Sequence, residues 1–300
     1  MKKMKTIFTG SGVAMITPFE LNNTVNFEKL KQLIDFQIDN KTDAIIIAGT
    51  TGEASTLTDK EHLKLVDVAT ECINGRIPLI VGTGSNDTNH CIFLSKKAVE
   101  LGADGLLLVT PYYNKTSQNG LVAHYTAIAN KVCDTPILLY NVPSRTGMTI
   151  ELETYQKLDQ VPNIVGTKEA SGNLELIKEI IKNTNLDVYS GNDDQVTAII
   201  NLGGKGVISV MANIIPEETH FLTCDESVEM QEYYISLIRA LFPKDNPNPI
   251  AIKEAMNILG MDVGPVRLPL VYRNDEEQQV LEQTLENYPE IQKIKKLKFR

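Results

Sequence analysis

Lys168 follows an apolar run, Ile164-Val165-Gly166-Thr167, and precedes Glu169. A cationic side chain at the end of a buried segment is costly unless it is paired or used. Desolvation favours the neutral amine, which can attack a carbonyl carbon. The competing reading is an ion pair with Glu169 or Glu53, or a side chain that snorkels to solvent. A phenol, Tyr140, ends the preceding apolar run, and Arg145 follows on a loop restrained by Pro143. Arginine suits bidentate recognition of a carboxylate. Gly49-Thr50-Thr51-Gly52-Glu53 offers two hydroxyls and glycine-flanked amides to an anion, or else forms a tight turn with threonine helix caps. In Thr110-Pro111-Tyr112-Tyr113-Asn114, two adjacent tyrosines at a strand end cannot both point inward. One of them reaches a neighbour or an interface, unless both simply cap the core. A lysine and a tyrosine on adjacent strands, with an anion-binding corner and an arginine nearby, favour catalysis over a purely structural role.

The elements that must position these groups repeat. Short runs rich in Val, Ile and Leu occur at 13–16, 44–48, 79–81, 105–109, 137–140, 164–167, 187–189 and 207–210. Their spacing, about 27 residues, suits a strand, a loop and a three-turn helix. The runs do not alternate, as expected of parallel strands buried on both faces. Between them Phe27, Leu30, Leu33, Ile34 and Ile38 recur at helical steps, and Thr58 with Glu61 forms a capping box. The stretches 88–101, 118–132, 174–181 and 195–202 behave similarly. Eight such units predict an α/β fold of the (β/α)8 TIM-barrel type. An open doubly wound sheet is disfavoured, since no Gly-x-Gly-x-x-Gly follows the first run and no P-loop pattern occurs. The catalytic barrel is expected over 1–224. After about residue 215 the spacing changes, and helical stretches at 217–242, 250–259 and 276–288 read as the barrel's last helix and a C-terminal helical appendage, with the C-terminal helical region expected over 225–300. That appendage is expected to serve packing or oligomer contact. In a parallel barrel, the corners after the strands form the face that carries active sites.

Composition bounds the function. The chain has 300 residues, 42% hydrophobic and 22% charged, with a formal charge of −9. Without a basic stripe this balance argues against nucleic acid; the one dense basic cluster spans 293–300. No apolar run reaches the roughly 20 residues needed to cross a bilayer, and Thr9 to Gly12 interrupt any signal core. No membrane association and a cytoplasmic location are therefore expected. The four cysteines and four histidines are scattered, so neither a disulfide framework nor a metal site is expected.

Gly49–Glu53, Tyr140–Gly147 and Gly166–Gly172 resemble, in order and spacing, the signatures of the dihydrodipicolinate synthase / N-acetylneuraminate lyase family of pyruvate-dependent class I aldolases. The resemblance runs from about Gly10 through Leu270 and includes Thr110–Asn114, Ser190–Asp194, Gly206–Val210 and Arg267-Leu268-Pro269. It implies a barrel with C-terminal helices, no cofactor, and a homo-oligomer, usually a tetramer built as a dimer of tight dimers. It implies that Lys168 forms a Schiff base with pyruvate and that Tyr140 is the general acid/base. Thr50 and Tyr113 complete a proton relay, Tyr113 reaching the neighbouring subunit. Thr51, with main-chain help at Ile208, holds the pyruvate carboxylate, and Arg145 binds the carboxylate of L-aspartate 4-semialdehyde. The implied reaction is the first committed step of lysine and diaminopimelate biosynthesis.

Within the family the rival is an N-acetylneuraminate or 2-keto-3-deoxy-sugar-acid aldolase. Such members typically read Gly-Ser-Thr-Gly-Glu at the first corner and lack the arginine, so Thr50 and Arg145 both disfavour it. A non-catalytic binding barrel is disfavoured by the presence of Lys168 and Tyr140. In feedback-inhibited members, lysine's ammonium meets an acidic side chain at the tight-dimer interface. The matching position here is His90, and a common histidine position is Asp59, while Asn86, His62 and Tyr112 are retained. Weak or absent inhibition by L-lysine is expected.

Overall fold

The computed structural model describes residues 4–224 and 228–294. The strands are β1 (Gly10–Ala14), β2 (Ala44–Ile47), β3 (Leu79–Gly82), β4 (Gly105–Val109), β5 (Ile137–Asn141), β6 (Ile164–Glu169), β7 (Asp187–Ser190) and β8 (Gly206–Ser209). They pair in parallel, each with the next, and β8 returns to β1 to close the barrel. All eight expected runs become strands. The first lies earlier than its apolar residues suggest, at Gly10–Ala14 rather than 13–16. The reason is packing: a Cβ at Gly12 would stand 2.6 Å from Ile46 Cδ1 and 2.9 Å from the Phe8 ring. A residue with low strand propensity is required there because the barrel interior leaves no room for another.

Helices occupy the intervals between strands. The helix Asp59–Ile73 begins with the expected capping box, in which Thr58 Oγ1 accepts from the Glu61 amide and Glu61 accepts from the Thr58 amide. After β8 come Pro216–Cys224, Val228–Tyr233, Ile235–Leu241, Ile250–Ile258, Asp275–Glu286 and Pro289–Ile294. The stretch expected as continuous helix from 217 to 242 is therefore broken around Tyr234. Residues 225–227 within it, and 295–300 of the basic cluster, lie outside the described residues. No helix among the described residues is long and apolar enough to cross a membrane.

Two apolar layers result. Ile46, Ile80, Leu107, Leu138, Tyr140, Val165, Tyr189 and Ile208 fill the barrel. A larger cluster lies between the strands and the surrounding helices, and it includes Leu237, Leu241, Ile252, Ala255 and Met256 of the C-terminal region. The C-terminal helices thus share the apolar layer of the barrel.

Candidate active site

Side-chain alternation decides which residues of β5 and β6 face inward. On β6, Thr167 Oγ1 lies 3.2 Å from Tyr155 Oη, and Tyr155 also donates to Glu169 Oε1. Tyr155 belongs to the helix Leu152–Leu158, so Thr167 and Glu169 face outward and Lys168 between them faces the barrel interior. Tyr140 pairs in register with Lys168 across β5 and β6. The Lys168 Nζ stands 4.6 Å from the centroid of the Tyr140 ring.

Lys168 is 5% exposed and lies within β6 rather than beyond its end. Both expected competitors for its charge are engaged elsewhere. Glu53 Oε1 accepts from Lys253 Nζ at 2.9 Å, and its Oε2 accepts from the Arg267 amide at 2.8 Å. Glu169 accepts from Asn141 Nδ2 at 3.0 Å and from Ser171 Oγ at 2.7 Å as well as from Tyr155. Burial pushes the Glu169 carboxyl above its usual range, against those hydrogen bonds. Among the described residues Lys168 makes no ion pair. The buried Asp193 carboxyl is pushed up by desolvation, while hydrogen bonds from Ser209 and the Met211 amide and the charge of Lys168 act the other way.

The corner after β2 turns sharply, with Glu53 in the left-handed region at φ 54°. Thr50 is half-buried and Thr51 is 3% exposed. A cavity of about 300 Å³ opens beside them, with Thr50, Tyr140 and Arg145 on its wall. Lys168, Thr51 and Ile208 are not on that wall. Ile208 is fully buried with Tyr140 in the inner apolar layer. Arg145 is exposed and donates from Nη2 to the Asn248 carbonyl at 3.1 Å. Tyr112 lines the cavity, whereas Tyr113 is 92% exposed, with φ 66°. The adjacent tyrosines therefore diverge as expected. Within one chain the barrel brings together Thr50, Tyr140, Arg145 and Lys168, and it leaves Tyr113 facing outward.

Asn248, Asp193 and Lys253 also bear on this site, and residue-level reading of the sequence did not single them out. The Asp193-Asp194 pair at the exit of β7 was a usable signal. Asn248 lies in Asn246-Pro247-Asn248-Pro249, read only as a break between helices.

A closed (β/α)8 barrel with a buried lysine in register with a tyrosine, and an arginine at a cavity beside them, defines the class of (β/α)8-barrel enzymes. The sequence model described as the dihydrodipicolinate synthetase family matches residues 7–288, and the chain belongs to that family. A 4-hydroxy-tetrahydrodipicolinate synthase of Caldicellulosiruptor saccharolyticus is 50% identical over 290 residues, 94% of this chain and 97% of that protein. The same-named protein of Acetivibrio thermocellus is 51% identical, covering 95% and 98%. Among solved structures, the dihydrodipicolinate synthase of Aquifex aeolicus matches with a TM-score of 0.90 and 41% identity, over 94% of this chain and 98% of that one. The chloride-inhibited enzyme of Acinetobacter baumannii, complexed with pyruvate, matches with a TM-score of 0.90 and 40% identity, over 94% and 99%.

Proposed function

We propose that this chain has the activity for which its curated relatives are named, and condenses pyruvate with L-aspartate 4-semialdehyde. The observation that carries this reading is Lys168, buried opposite Tyr140 with no ion pair among the described residues. A lysine so placed is costly as structure and useful as a nucleophile.

The neutral Nζ attacks the keto carbon of pyruvate. Tyr140 delivers a proton to the departing oxygen, water leaves, and an iminium forms. Its positive nitrogen draws electrons from the methyl group, which loses a proton to give an enamine. The enamine carbon attacks the aldehyde carbon of the second substrate, whose oxygen takes up a proton. The amine of that substrate then adds to the iminium carbon, expels the Lys168 nitrogen and closes the ring. Tyr140 serves as a proton shuttle when neighbouring hydroxyls relay its proton. Thr50, on the same cavity wall, is the first of these. Tyr113, contributed by a neighbouring subunit, is the second, and its outward orientation supports that role. Thr51 and the Ile208 main chain hold the keto-acid carboxylate, and Arg145 binds the carboxylate of the aldehyde. The functional unit is a homotetramer of tight dimers in the cytoplasm.

Borohydride reduction in the presence of pyruvate, followed by peptide mass spectrometry, tests the reading. The expected adduct lies on the peptide carrying Lys168, and semialdehyde added before reduction should discharge it. Capture at another residue, or none, overturns the assignment. Discharge by a sugar aldehyde instead identifies the sugar-acid aldolase.

A further inference from the structure

Asn248 lies between the helices Ile235–Leu241 and Ile250–Ile258, roughly a hundred residues or more along the chain from the groups it touches. Its side-chain Nδ2 donates to Thr51 Oγ1 at 2.9 Å. Its backbone carbonyl accepts from Arg145 Nη2 at 3.1 Å. The other side-chain atom, Oδ1, is buried with no hydrogen-bond partner among the described residues. Among the described residues Thr51 is thus the only hydrogen-bond partner that orients the amide. A buried polar atom left open is a cost that calls for an explanation.

A hydroxyl carries one proton to give and two lone pairs to receive. When Nδ2 occupies a lone pair of Thr51 Oγ1, that oxygen is fixed as an acceptor toward the loop. Its proton is then free to point elsewhere. A hydroxyl biased in this way donates to an anion, whereas one that gave its proton to the loop would present lone pairs and repel a carboxylate. Arg145 has five N–H donors, and one of them goes to the Asn248 carbonyl. The exposed guanidinium is thereby tethered, with most of its donors left for a ligand.

We propose that Asn248 is a positioning residue that ties the two substrate subsites together. Its side chain sets Thr51 as a donor to the keto-acid carboxylate, and its main chain steadies Arg145 for the aldehyde's carboxylate. This inference rests on the function proposed above. The two links use different atoms, so a side-chain substitution cuts the first and spares the second.

Steady-state kinetics of the full chain test it. Asn248→Asp keeps the shape but cannot donate, and it would take the Thr51 proton and add negative charge. Asn248→Ala simply removes the link. The pyruvate KM should rise about tenfold in Asn248→Ala and further in Asn248→Asp, since hydrogen bonds to charged groups are the strong ones. The semialdehyde KM should stay within about twofold. In a Thr51→Val background, Asn248→Ala should add nothing, because it acts through that hydroxyl. Equal rises in both KM values, or losses that simply add in the double variant, overturn the proposal. If one variant fails to fold, the other decides; if both fail, Asn248 is structural and the proposal falls. Failure of the underlying function would appear separately, as loss of borohydride capture at Lys168 in the unsubstituted enzyme.

Discussion

Lys168 and Lys253 are both buried, at 5% and 0% exposure, and their surroundings are opposite. Lys253, on the helix Ile250–Ile258, gives its three protons to Thr17 O at 3.0 Å, Glu53 Oε1 at 2.9 Å and Pro265 O at 2.6 Å. The Phe19 ring lies 4.2 Å from the same nitrogen. Desolvation pushes its pKa down to about 8, with Glu53 acting in the opposite direction. Lys168 has the face of Tyr140, an electrostatic interaction with Asp193 and no ion pair among the described residues. One region of the molecule spends a cation on joining the β2 corner to the C-terminal helices. The other keeps an amine uncommitted beside a phenol. Burial alone does not distinguish the two lysines; the acceptors around each do.

The sharpest way to break this comparison is to remove each nitrogen in turn. Lys168→Ala should lower turnover by roughly three orders of magnitude or more, and abolish borohydride capture of pyruvate. Its thermal unfolding midpoint should hardly move. Lys253→Met should do the reverse to stability, because it strands the buried Glu53 carboxylate. A loss of about 3–5 kcal/mol is expected in denaturant unfolding. A stable Lys253→Met protein, or an active Lys168→Ala protein, would erase the distinction.

Smaller effects sharpen it. Arg145→Ala should raise the semialdehyde KM about tenfold and lower turnover, with little change in pyruvate KM, because the role proposed for the guanidinium is to bind the semialdehyde carboxylate alone. An equal effect on both substrates would remove that role. The smallest effect concerns L-lysine. In the same cavity, His90 Nε2 lies 3.0 Å from Asp59 Oδ1, so the acidic group is engaged by an imidazole. Burial holds the His62 pKa down to about 4, keeping that ring neutral near pH 7. Among the described residues a free ammonium therefore finds no uncommitted carboxylate at His90, and L-lysine at sub-millimolar concentration should inhibit weakly or not at all in a coupled assay. Near-complete inhibition would overturn this.

Much of the architecture was legible because its signals are local. Runs of Val, Ile and Leu about 27 residues apart already demand strand–helix units. The Thr58–Glu61 capping box is written in four residues and forms as written. β1 was misplaced because Gly10 answers to Asp43 and Gly12 to Ile46, residues far along the chain, rather than to strand propensity. Likewise, Lys168, Tyr140, Thr50 and Arg145 could be singled out because each stands at or shortly after the end of an apolar run.

Residue types and their spacing by themselves determined that a lysine, a phenol, a threonine pair and an arginine would stand at the exits of parallel strands, since side-chain character and strand periodicity are properties of a few consecutive residues. Only the tertiary structure decided which acceptors those groups meet. Glu53 was a plausible partner for Lys168 until the fold delivered Lys253 to it from 200 positions away. Asn248 was one asparagine in a proline-rich break until the fold set it between Thr51 and Arg145. Hydrogen bonds and ion pairs act over a few ångströms, and which groups come that close is fixed by how the whole chain packs.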